Sequence, residues 1–371
     1  MEVILERDHL LNTLSHVQGI IEKRGTLPIL SNVLIEAKET SVKFTSTDLD
    51  LIFEEEIKNV KVKRKGSTTI SANIFYEIVR KCSVGSKIDL NLISENKLEL
   101  KSENSKFHLL CLPSSDFPFV QDEGQASSFI INTKLFLKLI NKSKISISND
   151  ETRHYLNGIY LHKLKISDKI YLTAVATDSH RMSVSKVQLK HDINFEPIII
   201  PKKTIFQLSS LLNGRDEDMK ISNNKTRIKF VFQDCLLISK VIDGKFPDYN
   251  QVIPKKNDKI LEINVKEFIT SVDRVVAVSD DRKEGVRLDL ESENLKLSVN
   301  NPNSGDGTEI VKSTFNYENM NISFNSSYLI DAASQIEGEK IIFELKDTGS
   351  PAIIKDSVDL NTFFIVMPMK I

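Results

Sequence analysis

The sequence of 371 residues lacks two features that would place it in or across a membrane. It has no run of about 18 apolar residues, so no membrane-spanning helix is expected. Its amino terminus, which begins Met1-Glu2-Val3, is acidic and then amphipathic, without the basic start and apolar stretch of a signal peptide. We therefore expect a protein that stays in the cytoplasm.

Cysteine, glycine and metal-binding patterns are also sparse. The three cysteines, Cys82, Cys111 and Cys235, are odd in number and widely spaced among apolar neighbours, which is typical of buried, reduced thiols. With 13 glycines and no Gly-rich phosphate loop, nucleotide hydrolysis is not expected. The seven histidines show no zinc-ligand spacing. We expect neither a metal nor a cofactor.

A net charge of −1 gives no global sign of a nucleic-acid partner, so the local placement of the charges matters. Lys134, Lys138 and Lys142 are four residues apart in a predicted helix near 133–145 and would lie on one face. Arg80-Lys81 and Lys202-Lys203 lie at the ends of two other predicted helices. These residues form either ordinary solvated faces or a basic surface shared by several helices.

What the chain does contain is one pattern repeated three times. An apolar strand, an amphipathic helix and an alternating pair of strands recur near 1–57, 127–187 and 259–312. A second strand and helix follow in each third, beginning near 69, 198 and 322. One third of the length is about 124 residues, a common domain size. The pattern predicts an α+β protein of three repeated two-helix domains, 1–125, 126–254 and 255–371, which is more typical of a scaffold than of an enzyme with one pocket.

Two segments stand out within these repeats. Thr177-Asp178-Ser179-His180-Arg181 contains the residue types of a catalytic relay, but neighbouring residues on a strand point to opposite faces. The segment is therefore a structural turn, the rim of a binding site or, least favoured, a catalytic site. The carboxyl terminus is also unusual, because methionines flanking a proline follow the apolar Phe363–Val366, which suits an adaptable contact surface.

Five further motifs carry a family resemblance that runs through the whole chain in order. They are Thr26–Leu30, Arg153–Gly158, Ala176–Arg181, Asp243–Tyr249 and Val366–Ile371. Together they resemble the bacterial DNA polymerase III beta subunit, the sliding clamp of replication. The resemblance implies the DNA clamp fold, with two chains joined head to tail into a ring whose hole is lined by helices.

The resemblance also implies a function. The chain would be a non-catalytic processivity factor that encircles duplex DNA and tethers proteins through a hydrophobic peptide-binding cleft. Implied partners are the replicative polymerase catalytic subunit, the clamp loader, repair polymerases, ligase and mismatch-repair proteins. Two alternatives stay open: a clamp-like module that binds peptide or DNA as a monomer, and a hydrolase built around Asp178 and His180.

The resemblance assigns residues to three surfaces. The peptide-binding cleft would be formed by Arg153, Tyr155, Leu156, Thr177, His180, Arg181, Met182, Pro247, Val252, Ile365, Val366, Met367, Pro368 and Met369. The DNA-facing residues would be Arg24, Arg80, His154, Tyr155, Lys202 and Lys203. The dimer interface would join Phe107 and Leu109 to Ala277 and Val278 of a second chain. Ser179 and Gln251 depart from the glycine and arginine common in the family, which would alter the peptide preference.

Overall fold

The structure is a computed structural model that describes residues 1–21, 27–118, 127–278 and 285–370. Its helices are α1 (Arg7–Val17), α2 (Ala72–Lys81), α3 (Thr133–Lys144), α4 (Lys202–Leu211), α5 (Val265–Val276) and α6 (Ser326–Ala333). Its first strands are β1 (Glu2–Glu6), β2 (Asn32–Ala37), β3 (Ser41–Thr47), β4 (Leu51–Lys58), β5 (Lys61–Arg64), β6 (Gly66–Ser71), β7 (Lys87–Ser94), β8 (Lys97–Ser102), β9 (Ser105–Leu112) and β10 (Ser127–Asn132).

The remaining strands continue in chain order. They are β11 (Gly158–Ile166), β12 (Lys169–Thr177), β13 (Arg181–Leu189), β14 (Ile198–Pro201), β15 (Asp218–Asn223), β16 (Arg227–Phe232), β17 (Cys235–Lys240), β18 (Lys259–Asn264), β19 (Gly285–Leu290), β20 (Asn294–Asn301), β21 (Gly305–Phe315), β22 (Met320–Asn325), β23 (Lys340–Leu345), β24 (Ala352–Asp356) and β25 (Thr362–Val366). Short 3-10 turns cover Pro28–Ser31, Ser114–Asp116, Glu151–Leu156 and Tyr249–Gln251.

This element order confirms the predicted repeat. A strand runs directly into a helix six times: β1 into α1, β6 into α2, β10 into α3, β14 into α4, β18 into α5 and β22 into α6. Among the described residues, each third of the chain therefore has two α-helices, as the periodicity predicted. None of the described helices has the length and apolar character needed to cross a membrane.

The chain divides into two compact units, each built around one antiparallel sheet. The first unit comprises Met1–Leu137, Ile193–Glu196 and Phe206–Val241, and its described strands follow the order β10-β15-β16-β17-β4-β3-β2-β6-β9-β8-β7-β1-β5. The second comprises Lys138–Asp192, Pro197–Ile205 and Ile242–Ile371, with the order β14-β11-β12-β13-β25-β24-β23-β18-β21-β20-β19-β22.

Each sheet contains a junction between two repeats. In the first unit β4 pairs with β17, so that Leu51 lies opposite Ser239. In the second unit β13 pairs with β25, so that Arg181 lies opposite Val366. In both cases the fourth long strand of one repeat pairs with the last strand of the next repeat. The apolar segment Phe363–Val366 therefore belongs to β25 and lies inside a sheet.

Local sequence explains where the helices of the third repeat begin and which face they bury. The side chain of Asn264 accepts hydrogen bonds from the backbone N–H groups of Lys266 and Glu267 and so caps α5. Asn325 caps α6 in the same way. Phe268 and Val272, four residues apart on α5, are fully buried against the sheet.

Candidate functional site: an apolar cleft in the second unit

A cavity of about 280 Å³ opens where β12, β13, β25 and the segment 247–252 meet. Its lining residues are mostly apolar or aromatic, with a few polar groups at the rim. They are Thr177, Ser179, His180, Arg181, Met182, Pro247, Asp248, Tyr249, Val252, Ile365 and Met367. This composition suits a short peptide with apolar side chains, because a pocket of this kind excludes water from the anchors while polar groups orient the backbone.

The floor of the cleft continues into a hydrophobic cluster. Met182 and Ile365 are 3% exposed and pack in one cluster with Leu156 and Tyr249, while Tyr155 packs against it from outside. Met182 lies directly opposite Ile365 in the pairing of β13 with β25. The floor is therefore made by a sheet, and its position is fixed by backbone hydrogen bonds.

The rim contains the segment 177–181, for which the sequence left a catalytic site open as an alternative. Asp178 Oδ1 accepts hydrogen bonds of 2.9 Å from the backbone N–H groups of both His180 and Arg181. Its Oδ2 accepts one of 3.1 Å from Arg181 Nε. Because both oxygens of this carboxylate serve the turn, Asp178 does not orient the His180 ring for a relay. The segment is a turn at the rim of the cleft, and the hydrolase alternative finds no support in its geometry.

Two residues of this turn have roles that the sequence did not indicate. Ser179 has a φ of 78°, in the left-handed region that favours glycine, and its Oγ accepts a hydrogen bond of 2.6 Å from Arg153. Arg181 lies with its guanidinium carbon 4.3 Å from the centre of the Tyr328 ring and forms an ion pair with Asp331. Arg181 thus ties the rim to α6.

The wall made by segment 247–252 is held by a buried pair that sequence reasoning missed. The hydroxyl of Tyr249 is 3.1 Å from His162 Nε2, and His162 Nδ1 is 3.1 Å from the carbonyl oxygen of Lys163. Since a carbonyl only accepts, Nδ1 carries the proton and Tyr249 donates to Nε2. Burial lowers the pKa of His162 and raises that of Tyr249 to about 12, so both groups are neutral at pH 7.

The structure brings together eight of the fourteen residues predicted for the cleft. The other six lie outside the cavity lining: Arg153, Tyr155, Leu156, Val366, Pro368 and Met369. Leu156 and Tyr155 support the floor and Arg153 holds the turn. Val366 differs from the prediction, because it is 1% exposed and packs in the core of the third repeat. Met369 donates a backbone hydrogen bond of 2.7 Å to Ser323.

The lysines of α3 are not a free basic stripe. Lys134 Nζ is 2.7 Å from Asp216, and Lys138 Nζ is 2.9 Å from Glu337 and 3.2 Å from Asp359. Lys142 is buried and also pairs with the last two carboxylates, at 3.1 and 3.7 Å. The alternative of a basic surface shared by several helices is therefore wrong for these three lysines, because each forms an ion pair with a carboxylate of the same chain.

The residues predicted to face DNA belong to several different elements. Arg24 lies outside the described residues. Arg80, in the last turn of α2, is exposed and pairs with Glu77 at 2.8 Å, whereas Lys202 and Lys203 begin α4. His154 is exposed, and its Nε2 is 3.1 Å from the carbonyl oxygen of Asp243. Within the described part of the chain, no cluster of His, Cys, Asp and Glu could hold a metal ion.

The predicted dimer residues lie beside two strands that occupy the junction positions of the repeat. Phe107 and Leu109 are on β9, the last strand of the first repeat, and Phe107 is 37% exposed. Ala277 and Val278 directly follow α5, and the Val278 carbonyl accepts a hydrogen bond from Ser304, beside β21. β21 is the fourth long strand of the third repeat.

The repeated domains, the junctions and the cleft define a clamp-like scaffold, and comparison with known families agrees. Three family models match in order: the DNA polymerase III beta subunit N-terminal domain over residues 1–121, its central domain over 130–248 and its C-terminal domain over 250–370. The chain belongs to the DNA polymerase III beta subunit family. Members of this family are processivity clamps of DNA replication and do not catalyse a reaction.

Similar proteins match over their full lengths. The beta sliding clamp of Caulobacter vibrioides is 36% identical and that of Escherichia coli is 31% identical, each with all of both chains covered. Among solved structures, a sliding clamp (DNA polymerase III subunit beta) from Bartonella birtlesii bound to griselimycin is 36% identical, has a TM-score of 0.95 and likewise covers all of both chains. The family and its α+β clamp fold, predicted from the motifs, are thereby confirmed.

Proposed function

We propose that two copies of this chain join head to tail into a closed ring around duplex DNA and tether replication proteins through the cleft. The observation that carries the ring is the repeated junction. Two junctions pair a fourth long strand with a last strand, β4 with β17 and β13 with β25. The third pair of this kind, β21 with β9, does not form among the described strands of one chain and would form between two chains, removing two exposed strand edges.

The apolar groups beside these edges support this pairing. Phe107, with Ile74 and Ile78 of α2, lines a cavity of about 400 Å³ in the first unit. Ile310 on β21 is 65% exposed. Association would bury these side chains, and Ala277 and Val278 of the partner would meet the cavity beside β9. Each apolar Å² removed from water contributes roughly 25 cal/mol to such an association.

Within the ring, DNA would be held by topology and by weak phosphate contacts. Arg24, Arg80, His154, Tyr155, Lys202 and Lys203 are the proposed DNA-facing residues. A near-neutral chain with few such cations suits sliding, because each phosphate contact exchanges quickly with counterions. Proposed partners at the cleft are the replicative polymerase, the clamp loader, repair polymerases, ligase and mismatch-repair proteins. The proposed domains of the chain itself are 1–125, 126–254 and 255–371.

The test of the ring is retention on nicked circular DNA after incubation with a clamp loader and ATP. We expect the protein to stay on the circle in high salt and to leave once the DNA is linearised. Equal retention on linear DNA would refute the topological link. Phe107→Asp should give a monomer in sedimentation and abolish retention, whereas Leu360→Asp, at a position 83% exposed in the connection between β24 and β25, should change neither.

The test of the cleft uses griselimycin, which is bound to the clamp from Bartonella birtlesii. We expect it to bind this chain and to compete with partner peptides. Val252→Asp places a charge on the 59% exposed cleft wall and should weaken binding at least about ten-fold, which corresponds to roughly 1.4 kcal/mol. Leu360→Asp is again the control. Unchanged affinity in the Val252→Asp protein would exclude this cleft.

A further inference from the structure

A second groove, of about 330 Å³, begins where the cleft ends. It is formed by the segment 251–257 and by Lys346, Ser350 and Pro351 from the connection between β23 and β24. Val252 lines both the cleft and this groove. The two cavities therefore adjoin at Val252, so a polypeptide that leaves the cleft past this residue would reach the groove.

The groove has a fixed framework. Asn257 Nδ2 donates hydrogen bonds of 2.8 Å to the carbonyl oxygen of Glu344 and 2.9 Å to that of Pro351. One side chain thus joins both walls. Pro254 and Pro351 restrict the backbone of each wall further. The shape is consequently present before a ligand arrives, which reduces the entropy lost on binding.

The charge of the groove has one sign. Lys255, Lys256 and Lys346 line it, and none of its lining residues carries a carboxylate. Neither Lys255 nor Lys256 forms an ion pair with a described residue, whereas Lys134, Lys138 and Lys142 of α3 each do. Lys346 has a single 3.6 Å contact with its neighbour Asp347, and both side chains are about half exposed. In a chain of net charge −1, these cations form a local positive excess.

We propose that this groove is a subsite for acidic residues that flank the apolar anchors of a cleft-bound polypeptide. The inference rests on the proposed function of the cleft. The apolar anchors supply affinity in the cleft, and carboxylates of the flanking segment pair with the lysines of the groove. Such exposed pairs contribute little individually, so the groove selects among partners that already carry anchors.

The test compares synthetic peptides that share one apolar core of two leucines and a phenylalanine. The core carries three glutamates or three glutamines, at its amino end in one pair of peptides and at its carboxyl end in the other. For one of the two ends we expect the glutamate peptide to bind about five-fold tighter than its glutamine partner at low salt, roughly 1 kcal/mol. The ratio should approach one at 0.5 M salt, because exposed pairs are screened.

Charge reversal makes the test specific to the groove. In the double variant Lys255→Glu and Lys256→Glu, the preference should invert in favour of the glutamine peptide. The control reverses two exposed lysines elsewhere, Lys266→Glu and Lys296→Glu, and should keep the original preference. The proposal is overturned if the affinity ratio of the glutamate and glutamine peptides is unchanged in the groove variant, or if the control variant loses the preference for glutamate to the same extent. If no peptide binds the unaltered protein, the cleft itself is refuted, and the two failures are thereby distinguished.

Discussion

Replacing Lys142 with methionine should destabilise the protein far more than the same change at Lys134, although both lysines lie on α3. The side chains of Lys142 and Asp359 are each 6% exposed, and their charged atoms are 3.7 Å apart. Lys142 also lies 3.1 Å from Glu337 and donates to the carbonyl oxygen of Gln335. By contrast, Lys134 and Asp216 are 64% and 56% exposed.

The magnitude follows from what the substitution leaves behind. Lys142→Met preserves most of the volume but leaves Asp359 buried with one cation, Lys138, at 3.2 Å. Removing one partner of a buried pair costs roughly 3–5 kcal/mol, and the remaining lysine places the expected loss near about 3 kcal/mol. An exposed pair is worth about 0.2–1 kcal/mol, so Lys134→Met should cost less than about 1 kcal/mol. The difference corresponds to a factor of roughly 30 in the unfolding equilibrium.

The assay is urea denaturation followed by far-ultraviolet circular dichroism at pH 7, with the free energy compared at the first cooperative step. Adding Asp359→Asn to Lys142→Met should recover part of the loss, because it removes the carboxylate left without its lysine. Equal losses for Lys142→Met and Lys134→Met would refute the reasoning. The reasoning would also be refuted if adding Asp359→Asn to Lys142→Met lowered the free energy of unfolding by as much as Asp359→Asn does in the native protein.

Three further predictions concern single sites. Burial lowers the pKa of His162, so the stability that this residue contributes is complete above the ordinary pKa near 6.5 and is lost as the pH falls toward the pKa of the folded state. Between pH 7 and 5.5 the free energy of unfolding of the native protein should fall by up to about 1.4 kcal/mol per pH unit more than that of His162→Gln. Burial raises the pKa of Cys111, and that of Cys235 to about 12, so alkylation of the native protein at pH 8, read by mass spectrometry, should spare both. Leu49 has a φ of 79°, in the region that favours glycine, so Leu49→Gly should stabilise the protein by about 0.5–1 kcal/mol in thermal denaturation. Ser179→Gly should stabilise it less, because this substitution also removes the hydrogen bond from Arg153.

The parts of the fold that sequence could predict are those encoded by local periodicity. The six strand-to-helix transitions were predictable because apolar spacing changes from two to about 3.6 residues at each of them. The partners of the α3 lysines were not, since Glu337 and Asp359 lie some 200 residues further along the chain. The spacing of Lys138 and Lys142 indicates a shared face but carries no information about what covers it.

The same distinction applies to the cleft. Residues inside quoted motifs, such as His180 and Pro247, were assigned through the resemblance and do line the cavity. Tyr249 also lies within a quoted motif, yet its role depends on a hydrogen bond to His162, 87 residues earlier. A histidine on a strand whose side chain points into the protein gives no sign of such a partner. Alternation on β11 could have indicated only that His162 shares a face with Tyr160.

The chain builds the turn at the rim of the cleft twice, and the two copies differ in chemistry. In each, an aspartate Oδ1 caps two backbone N–H groups: Asp48 those of Asp50 and Leu51, Asp178 those of His180 and Arg181. In each, a residue at the end of the last strand donates to the turn: Lys240, the final residue of β17, donates to the carbonyl of Asp50 at 2.8 Å, and Met367, which directly follows β25, donates to that of His180 at 2.9 Å.

The side chains at these matched positions differ between the proposed peptide cleft and the other junction. The first junction has an ion pair, Asp50 with Lys240 at 2.7 Å, where the second has His180 and Met367. An apolar anchor placed there would have to desolvate two charged groups, which disfavours its binding. We therefore expect calorimetric titration with griselimycin to give one site per chain. Two equivalent sites per chain would show that the shared backbone, and not the lining, determines binding.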